Sequence, residues 1–388
     1  MPHSFLAEIA RQFVIAPQVA PAAVVAVAWH GERGFEFADG AAFARRAGDE
    51  RALFDLASIS KSFMACTVAR LVRRGRLAFE TPLQELLPEA CGSRTGLTSV
   101  ASLLSHRAGL EAHRPLFASL LGELPIDRGA AIAEALHGRR PECTGTAPPG
   151  GFPPVYSDLG FALLGFAVER LERSPLDEII AREVCAPLGV EVGSARLLRA
   201  TTSDFVERCM PTETVPFRGG ELHGVVHDEN AWALSGHAAS GHAGLFGTAS
   251  AVARFGAALL DACQGRSQAW LDRPSLSPLL AERPGGTLRA GFDGKSAEQS
   301  SAGTLAGARS FGHLGFTGTS FWCDPDADRV MVLLTNRVCP TRNNPRIRAA
   351  RPAVNDALFA FCGSERKRAG WSEPGAGPQN GEGPLTAL

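Results

Sequence analysis

Ser58-Ile59-Ser60-Lys61 begins an apolar stretch that runs to Arg74, and this stretch decides how the rest of the sequence is interpreted. Only three of the 39 basic residues are lysines, and Lys61 is one of them. Arginine stays protonated in proteins, whereas a lysine can lose its proton. Residues three apart on a helix share a face, so the amine of Lys61 lies within reach of the Ser58 hydroxyl. The stretch therefore predicts a buried central helix that carries a serine nucleophile beside a base.

The single tyrosine of the chain, Tyr156, lies in Val155-Tyr156-Ser157-Asp158. A phenol can take up and release a proton, so Tyr156 is a second candidate for proton transfer. Structural alternatives exist for each of these residues. Tyr156 could be a core tyrosine with a satisfied hydroxyl, and Ser58 and Asp158 could each cap a helix.

The composition is that of a globular protein that acts on small molecules. The chain has 388 residues, 45% of them hydrophobic, and a formal net charge of −1, which is enough for one large core or two smaller ones. Acidic and basic residues form no long single-sign block, so neither a nucleic acid nor a membrane surface is predicted as a partner. We expect a small-molecule or peptide substrate. The composition makes no prediction of oligomeric state.

The nine cysteines are scattered and include no CxxC pair. This usage predicts reduced, mostly buried thiols rather than a zinc or redox site. The apolar run from Ala20 to Trp29 is too short to span a bilayer, and the N-terminal segment is amphipathic rather than a signal sequence. We therefore expect a cytoplasmic protein.

Strand patterns occur near both ends of the chain, with helical patterns between them. Ala22 to Trp29 and Gly34 to Ala42 are predicted to form a hairpin, and His313 to Cys323 and Arg329 to Asn336 two further strands. The predicted fold class is α/β (α+β), an antiparallel sheet flanked by helices and assembled from both termini, with a mainly helical subdomain inserted.

The expected boundaries follow from this pattern. Residues 1–362 form one catalytic domain, whose sheet subdomain comprises about 1–78 and 282–362 and whose helical subdomain comprises about 79–281. Helices are predicted at Phe5 to Val14 and at Ile347 to Phe361, and a long surface loop at Pro284 to Gly312. Residues 363–388 are rich in Gly, Pro and Glu and are predicted to be a disordered tail.

Three short motifs carry a resemblance to a known family. Ser58-x-x-Lys61, Tyr156-Ser157-Asp158 and His313-Leu314-Gly315 occur in the order and spacing seen in the serine β-lactamase and penicillin-binding superfamily. The chain most resembles the branch that holds class C β-lactamases, D-alanyl-D-alanine carboxypeptidases and related esterases. Supporting segments are Leu103 to Leu110, Gly241 to Phe246 and Gly315 to Thr319, and the likeness covers about residues 8 to 362.

The resemblance implies a β-lactamase/transpeptidase-like fold and a serine hydrolase that works through an acyl-enzyme. Ser58 would be the nucleophile, and Lys61 and Tyr156 would share the transfer of its proton. The backbone N–H groups of Ser58 and Phe316 would form the oxyanion hole. Gly315 would let substrate lie close to its strand. The resemblance implies no metal and no cofactor.

Two departures from the family pattern concern substrate binding. Asp158 stands where asparagine is common, so an amide donor is replaced by a carboxylate that only accepts. An ion pair between Asp158 and Lys61 would keep the lysine charged and favour Tyr156, as a phenolate, as the base. His313 stands where antibiotic-hydrolysing relatives have lysine, and histidine is mostly neutral at pH 7. Both changes favour esters or uncommon amides over β-lactams.

Two other function classes stay open. The cluster His223, His227, Asp228, Glu229, His237 and His242 could support a metal-dependent hydrolase, although its spacing matches no HExxH-type motif. The chain could also be a catalytically impaired binding or regulatory relative, since Asp158 and His313 depart from the pattern. An α/β-hydrolase is not predicted, because the chain lacks a GxSxG elbow.

Overall fold

A six-stranded antiparallel sheet forms the centre of the computed structural model, which describes residues 2–266 and 269–368. The strand order is β2-β1-β11-β10-β9-β8, so β1 from near the start of the chain lies beside β11 from near its end. Two small sheets, β3-β7-β4 and β5-β6, lie outside it. The strands are β1 Ala22–Gly31, β2 Gly34–Phe43, β3 Phe54–Asp55, β4 Val192–Ser194, β5 Thr214–Val215, β6 Gly220–Glu221, β7 Leu245–Gly247, β8 Asp293–Gly294, β9 Phe311–Leu314, β10 Ser320–Asp324 and β11 Arg329–Thr335.

Helices make up most of the rest of the described chain. The α-helices are α1 Pro2–Ala10, α2 Ser60–Arg73, α3 Leu83–Leu86, α4 Val100–Leu104, α5 Arg128–Leu136, α6 Asp158–Glu172, α7 Leu176–Ile180, α8 Ala186–Leu188, α9 Ala195–Thr201, α10 Phe205–Arg208, α11 Glu229–Ser235, α12 Ala249–Gln264, α13 Arg273–Leu280 and α14 Ile347–Arg368. Short 3₁₀ turns occur at Ala57–Ile59, Pro88–Ala90, Ala118–Gly122 and Pro216–Arg218, and π turns at Arg11–Ile15 and Ala181–Cys185.

Strand β1 separates two hydrophobic cores. Successive side chains of a strand point to opposite faces, and β1 is apolar at both sets of positions. One set, which includes Val24 and Ala26, belongs to the core shared with α2 and α12. The other set, which includes Val25 and Val27, packs against α1 and α14. The sheet is therefore covered by helices on both faces, which confirms the predicted fold class.

Helix α2 carries the SxxK motif through the larger core. Eleven of its fourteen residues are buried, because it packs against α6, α7, α13 and the π turn Ala181–Cys185. Phe63 of α2 stacks on Phe255 of α12, with ring centroids 4.1 Å apart. This packing fixes the position of the N-terminal end of α2, where the motif lies.

The structure differs from the sequence predictions at several boundaries. The strand predicted at His313 to Cys323 is two strands, β9 and β10, because the chain turns at residues 315–319 with Gly318 at φ +104°. The predicted surface loop Pro284 to Gly312 contains β8, and Phe292 within it is buried. The first helix starts at Pro2 and is followed by a π turn.

The ends of the predicted subdomains also differ from the observed packing. Helix α12 lies inside the range predicted as a helical subdomain, yet it packs against β1, β10 and β11 of the main sheet. The last helix continues to Arg368, so the predicted tail begins within α14; residues 369–388 lie outside the described residues. No helix in the described ranges is long and apolar enough to cross a membrane. The cytoplasmic location stays a prediction.

Candidate active site

Ser58 lies in the 3₁₀ turn that leads from β3 into α2. The preceding residue, Ala57, has φ +47°, a left-handed conformation that is costly for a residue other than glycine. The Asp55 carboxylate holds this turn by accepting the Ala57 N–H at 2.8 Å. The N-cap of α2 is Ile59 and has no side-chain capping bond, so Ser58 does not cap the helix. Its half-buried hydroxyl faces a cavity instead.

Lys61 is fully buried, and three oxygen atoms lie around its ammonium group. Its Nζ donates to Ser58 Oγ at 2.9 Å and to the His242 carbonyl at 3.1 Å, and it lies 2.7 Å from Asp158 Oδ1. Burial alone would lower the pKa of Lys61, but the Asp158 carboxylate and Tyr156 raise it above its ordinary value. The lysine is therefore charged in the resting protein.

Tyr156 joins this group from the loop before α6. Its ring lies beside Lys61, whose Nζ is 4.9 Å from the ring centre, and the Lys61 and Ser58 side chains both act to lower the pKa of the phenol. Burial raises the pKa of Tyr156, and the nearby ammonium of Lys61 only partly offsets this. The resting side chain is thus a neutral phenol. Desolvation outweighs the attraction of one cation that is already paired with Asp158, and the role of Tyr156 as the working base stays a prediction.

His106 supports Tyr156 from behind. Its ring centroid lies 4.6 Å from that of Tyr156, and its Nδ1 accepts the Ser157 N–H at 3.0 Å. Since Nδ1 is an acceptor, the ring proton is assigned to Nε2. Burial and the charge of Lys61 lower the pKa of His106 to about 3, so the ring is neutral. His106 therefore has a structural role, since it holds the backbone beside Tyr156.

Asp158 is the first residue of α6 and points into the site rather than capping the helix. The N-cap is Ser157, and no side-chain capping bond is present. Asp158 Oδ2 lies 3.9 Å from Nδ1 of His113. Burial would raise the pKa of Asp158, but Lys61 and His113 hold it well below its usual range. The ion pair between Asp158 and Lys61 that the sequence predicted is thus present.

His313 lies on β9, at the edge of the site. Its ring centroid is 6.1 Å from that of Tyr156, and its Nδ1–H donates to the Leu314 carbonyl at 2.8 Å. Burial and the charge of Lys61 lower the pKa of His313 to about 3. The imidazole is neutral at pH 7, in agreement with the sequence analysis.

The turn between β9 and β10 carries Phe316 to the mouth of the cavity. Its backbone N–H and that of Ser58 have no hydrogen-bond acceptor in the described part of the chain. Thr317 Oγ1 donates to the Asp55 carbonyl at 2.7 Å, and Thr319 Oγ1 donates to the Leu56 carbonyl at 3.2 Å. These two bonds tie the turn to the segment just before Ser58, so the two free N–H groups are held in a fixed relation.

Gly315 has a packing role in addition to the one expected. A Cβ at this position would lie 1.9 Å from Thr319 Oγ1 and 2.7 Å from the Leu56 carbonyl oxygen. The space that a side chain would take is therefore filled by the protein itself. Gly315 is needed to close the turn against the Ser58 segment, and since it also lines the cavity its role in substrate binding stays a prediction.

These side chains surround one cavity of about 940 Å³. Ser58, Tyr156, Asp158, His313, Gly315 and Phe316 all line it. Lys61 lies beneath its floor with no exposed side-chain surface. The structure thus brings together every site residue that the sequence analysis named, in a volume suited to a small organic or peptide ligand.

Comparison with known proteins agrees with this arrangement. The model of one family, beta-lactamase, matches residues 7–355. The chain belongs to the beta-lactamase family. This confirms the resemblance inferred from the three motifs.

Relatives in the beta-lactamase family include hydrolases of several kinds. A Salmonella gallinarum protein named as a D-alanyl-D-alanine carboxypeptidase is 29% identical over 222 residues, which cover 53% of this chain and 48% of that protein. The chain thus spans about half the length of the curated relatives it matches. Two solved structures share its fold: EstCE1, a hydrolase with promiscuous acyltransferase activity (19% identity, TM-score 0.68, covering 92% of this chain and 98% of that one), and a class C beta-lactamase from Rhodobacter sphaeroides (17% identity, TM-score 0.65, covering 92% and 99%).

The histidine cluster proposed as a metal site is divided among separate pairs in this beta-lactamase-family fold. His227 pairs with Glu213 at 2.9 Å and His242 with Asp228 at 2.9 Å, while His223 bonds to a backbone carbonyl. Within residues 2–266 and 269–368, no three His, Cys, Asp or Glu side chains are arranged to hold a metal ion. The geometry gives the metal-dependent alternative no support.

Sequence reasoning missed two features of the site. His113 lines the cavity beside Asp158, and that carboxylate raises the pKa of His113. Four arginines, Arg337, Arg342, Arg348 and Arg351, line the side near Phe316. This cluster could have been found from the sequence, because the segment from Arg337 to Arg351 contains five arginines in fifteen residues.

Proposed function

We propose that this chain hydrolyses a small ester, amide or peptide through an acyl-enzyme formed on Ser58. The single observation that carries the proposal is the hydrogen bond from Lys61 Nζ to Ser58 Oγ at 2.9 Å, in a cavity that Ser58 and Tyr156 both line. A hydroxyl in such a setting can be deprotonated as it attacks a carbonyl carbon.

The proposed proton route uses Tyr156 and Lys61 together. When Lys61 and Tyr156 together lose one proton, Tyr156 is the residue that becomes deprotonated, because Asp158 keeps Lys61 charged. The phenolate takes the Ser58 proton as Oγ bonds to the substrate carbonyl carbon. The phenol then gives that proton to the leaving alcohol or amine as the acyl bond breaks. Water attacks the acyl-enzyme by the same route and releases the acid and Ser58.

The proposed oxyanion hole consists of the backbone N–H groups of Ser58 and Phe316. The lack of a hydrogen-bond acceptor for either group supports this role. The hydrogen bonds of Thr317 and Thr319 to the segment before Ser58 support it too, because they fix the position of one N–H group relative to the other. Donors fixed in advance stabilise the developing negative charge without reorganising during the reaction.

The site favours simple esters over β-lactams in this proposal. The Asp158 carboxylate is held by Lys61 and cannot donate to an acyl-amide carbonyl, as an asparagine could. His313 is neutral and supplies no fixed charge for a substrate carboxylate at its position. A chromogenic cephalosporin hydrolysed as fast as a simple aryl ester would contradict this preference.

Covalent labelling tests the proposal. The protein is exposed to a fluorophosphonate and to a panel of penicillins, its intact mass is measured, and the adduct is located by peptide mapping. We expect one adduct on Ser58 and none in Ser58→Ala. Tyr156→Phe should still bind substrate but lose roughly 10²- to 10⁴-fold in rate, the range typical of a lost general base.

The outcomes separate the competing functions. Absence of any Ser58 adduct and of ester hydrolysis would favour the catalytically impaired relative. Activity that survives in Ser58→Ala but is lost on chelation would favour the metal-dependent hydrolase.

A further inference from the structure

Arg351 of α14 clamps both ends of the turn that carries Phe316. One of its guanidinium nitrogens, Nη2, donates to the Gly315 carbonyl at 2.6 Å and to the Thr319 carbonyl at 2.9 Å. The turn is closed between the same two residues, since the Gly315 N–H donates to the Thr319 carbonyl at 2.8 Å. A helix from the far end of the chain thus fixes the turn through a single side chain.

The charge of Arg351 has no acidic partner among the described residues. Arg342, by contrast, pairs with both Glu213 and Glu229. Burial, with a smaller effect from nearby Arg337, lowers the pKa of Arg351 to about 9, so the group stays charged at pH 7. Arg351 is half-buried and lines the cavity, and a partly desolvated cation without a counter-ion is costly. Its hydrogen bonds within the described residues go to the two backbone carbonyls of the turn.

The bonded carbonyl belongs to the peptide unit that matters for the proposed reaction. The C=O of Gly315 and the N–H of Phe316 are the two ends of one planar, resonance-coupled amide. A charge-assisted hydrogen bond to the oxygen draws electron density from the nitrogen. The N–H at the other end becomes a stronger donor, and the amide plane is held in one orientation.

We propose that Arg351 is a positioning residue that strengthens the oxyanion hole through the Gly315–Phe316 peptide. The inference rests on the proposed function, because it requires Phe316 N–H to face an oxyanion. It also explains how the site keeps a positive charge beside this turn although His313 is neutral.

Replacement of Arg351 by methionine removes the charge and keeps an unbranched side chain. Arg346→Met is the matched control, because Arg346 also donates to backbone carbonyls, those of Pro17 and Gln18, but lies outside the cavity lining. Three quantities are compared: kcat and KM for an aryl ester, the affinity for an arylboronic acid that forms an anionic tetrahedral adduct on Ser58, and the infrared carbonyl stretch of the Ser58 acyl-enzyme.

For Arg351→Met we expect kcat to fall by roughly 10-fold, less than the 10²- to 10³-fold typical of deleting an oxyanion-hole donor. KM should stay within about twofold, since a neutral ground-state carbonyl gains little from the stronger donor. Boronate affinity should fall by the same factor as kcat, and the acyl carbonyl stretch should move to higher frequency. Arg351→Lys should recover part of each change, and Arg346→Met should match the unmodified protein.

The result that overturns the inference is a methionine variant with unchanged kcat, or one whose acyl carbonyl stretch is unshifted. If that variant does not fold, Arg351→Lys decides, and a lysine variant with lost activity but an unshifted stretch would overturn the inference. Ser58 labelling in these variants would leave the proposed function standing. A lack of labelling in the unmodified protein would overturn the proposed function instead.

Discussion

The proton balance of the site sets its expected pH dependence. Lys61 and Tyr156 both have raised pKa values, so both are protonated at neutral pH. Neither can then accept the proton of Ser58. The active fraction grows as pH rises toward the raised pKa of Tyr156. We predict that kcat/KM for an alkyl ester increases about tenfold per pH unit from pH 7 to 9.

The control for this profile is Tyr156→Phe, whose residual activity should lack the steep rise. A bell-shaped profile centred near pH 7 in the unmodified protein would show that a different group accepts the proton.

Asp158 controls both the charge of Lys61 and the substrate preference. Replacement by asparagine removes the carboxylate that raises the pKa of Lys61, so this pKa should fall, and it adds an amide donor. We predict that Asp158→Asn increases the ratio of cephalosporin to aryl ester turnover. The measurement is kcat/KM for both substrates in one preparation of each protein. An unchanged ratio would mean that Asp158 does not set this preference.

At the scale of elements, the sequence predicted what depends on local spacing. The SxxK pair lies on one helix face, and the hairpin β1-β2 follows from alternation and a short turn, so both were visible in the sequence. The role of Arg351 was not, because its partners lie 32 and 36 residues earlier and only folding brings them together. The packing role of Gly315 was not visible either, because the atoms that exclude a side chain there belong to Thr319 and Leu56.

Glu213 joins two irregular segments beside the cavity. Its carboxylate accepts hydrogen bonds from His227 and Arg342 at 2.9 Å and 2.6 Å. Burial opposes ionisation, but these bonds lower the pKa of Glu213 to about 2, from an ordinary value of 4.5. A lowered pKa means that the stabilisation is complete above about pH 4.5 and is lost as pH falls toward 2.

We therefore predict that Glu213→Gln lowers the free energy of unfolding by about 1–2 kcal/mol at pH 7, and that this difference shrinks toward zero near pH 2. Denaturant unfolding at several pH values measures both. Glu221→Gln is the control, because Glu221 is exposed and should show no such difference. A destabilisation that is equal at all pH values would contradict the assigned pKa.

At the scale of the whole molecule, the two cores share the strands β1 and β11. Both strands are covered on both faces, and their pairing joins a segment near the start of the chain to one near its end. Neither can open without disrupting the other. We predict that their amides exchange with solvent at the same slow rate, through global unfolding, as measured by native-state hydrogen exchange. Faster exchange of β11 than of β1 would contradict this coupling.

The pairing of Ala23 with Thr335 also matters while the protein is being made. The hairpin β1-β2 leaves the ribosome early, but the strand that covers its other edge follows about 300 residues later. At typical translation speeds the edge of β1 that pairs with β11 stays unpaired for roughly 15 to 60 s. An apolar strand with unpaired backbone groups is a template for aggregation. Chaperones that hold nascent chains should therefore raise the yield of folded protein more than those that act after release.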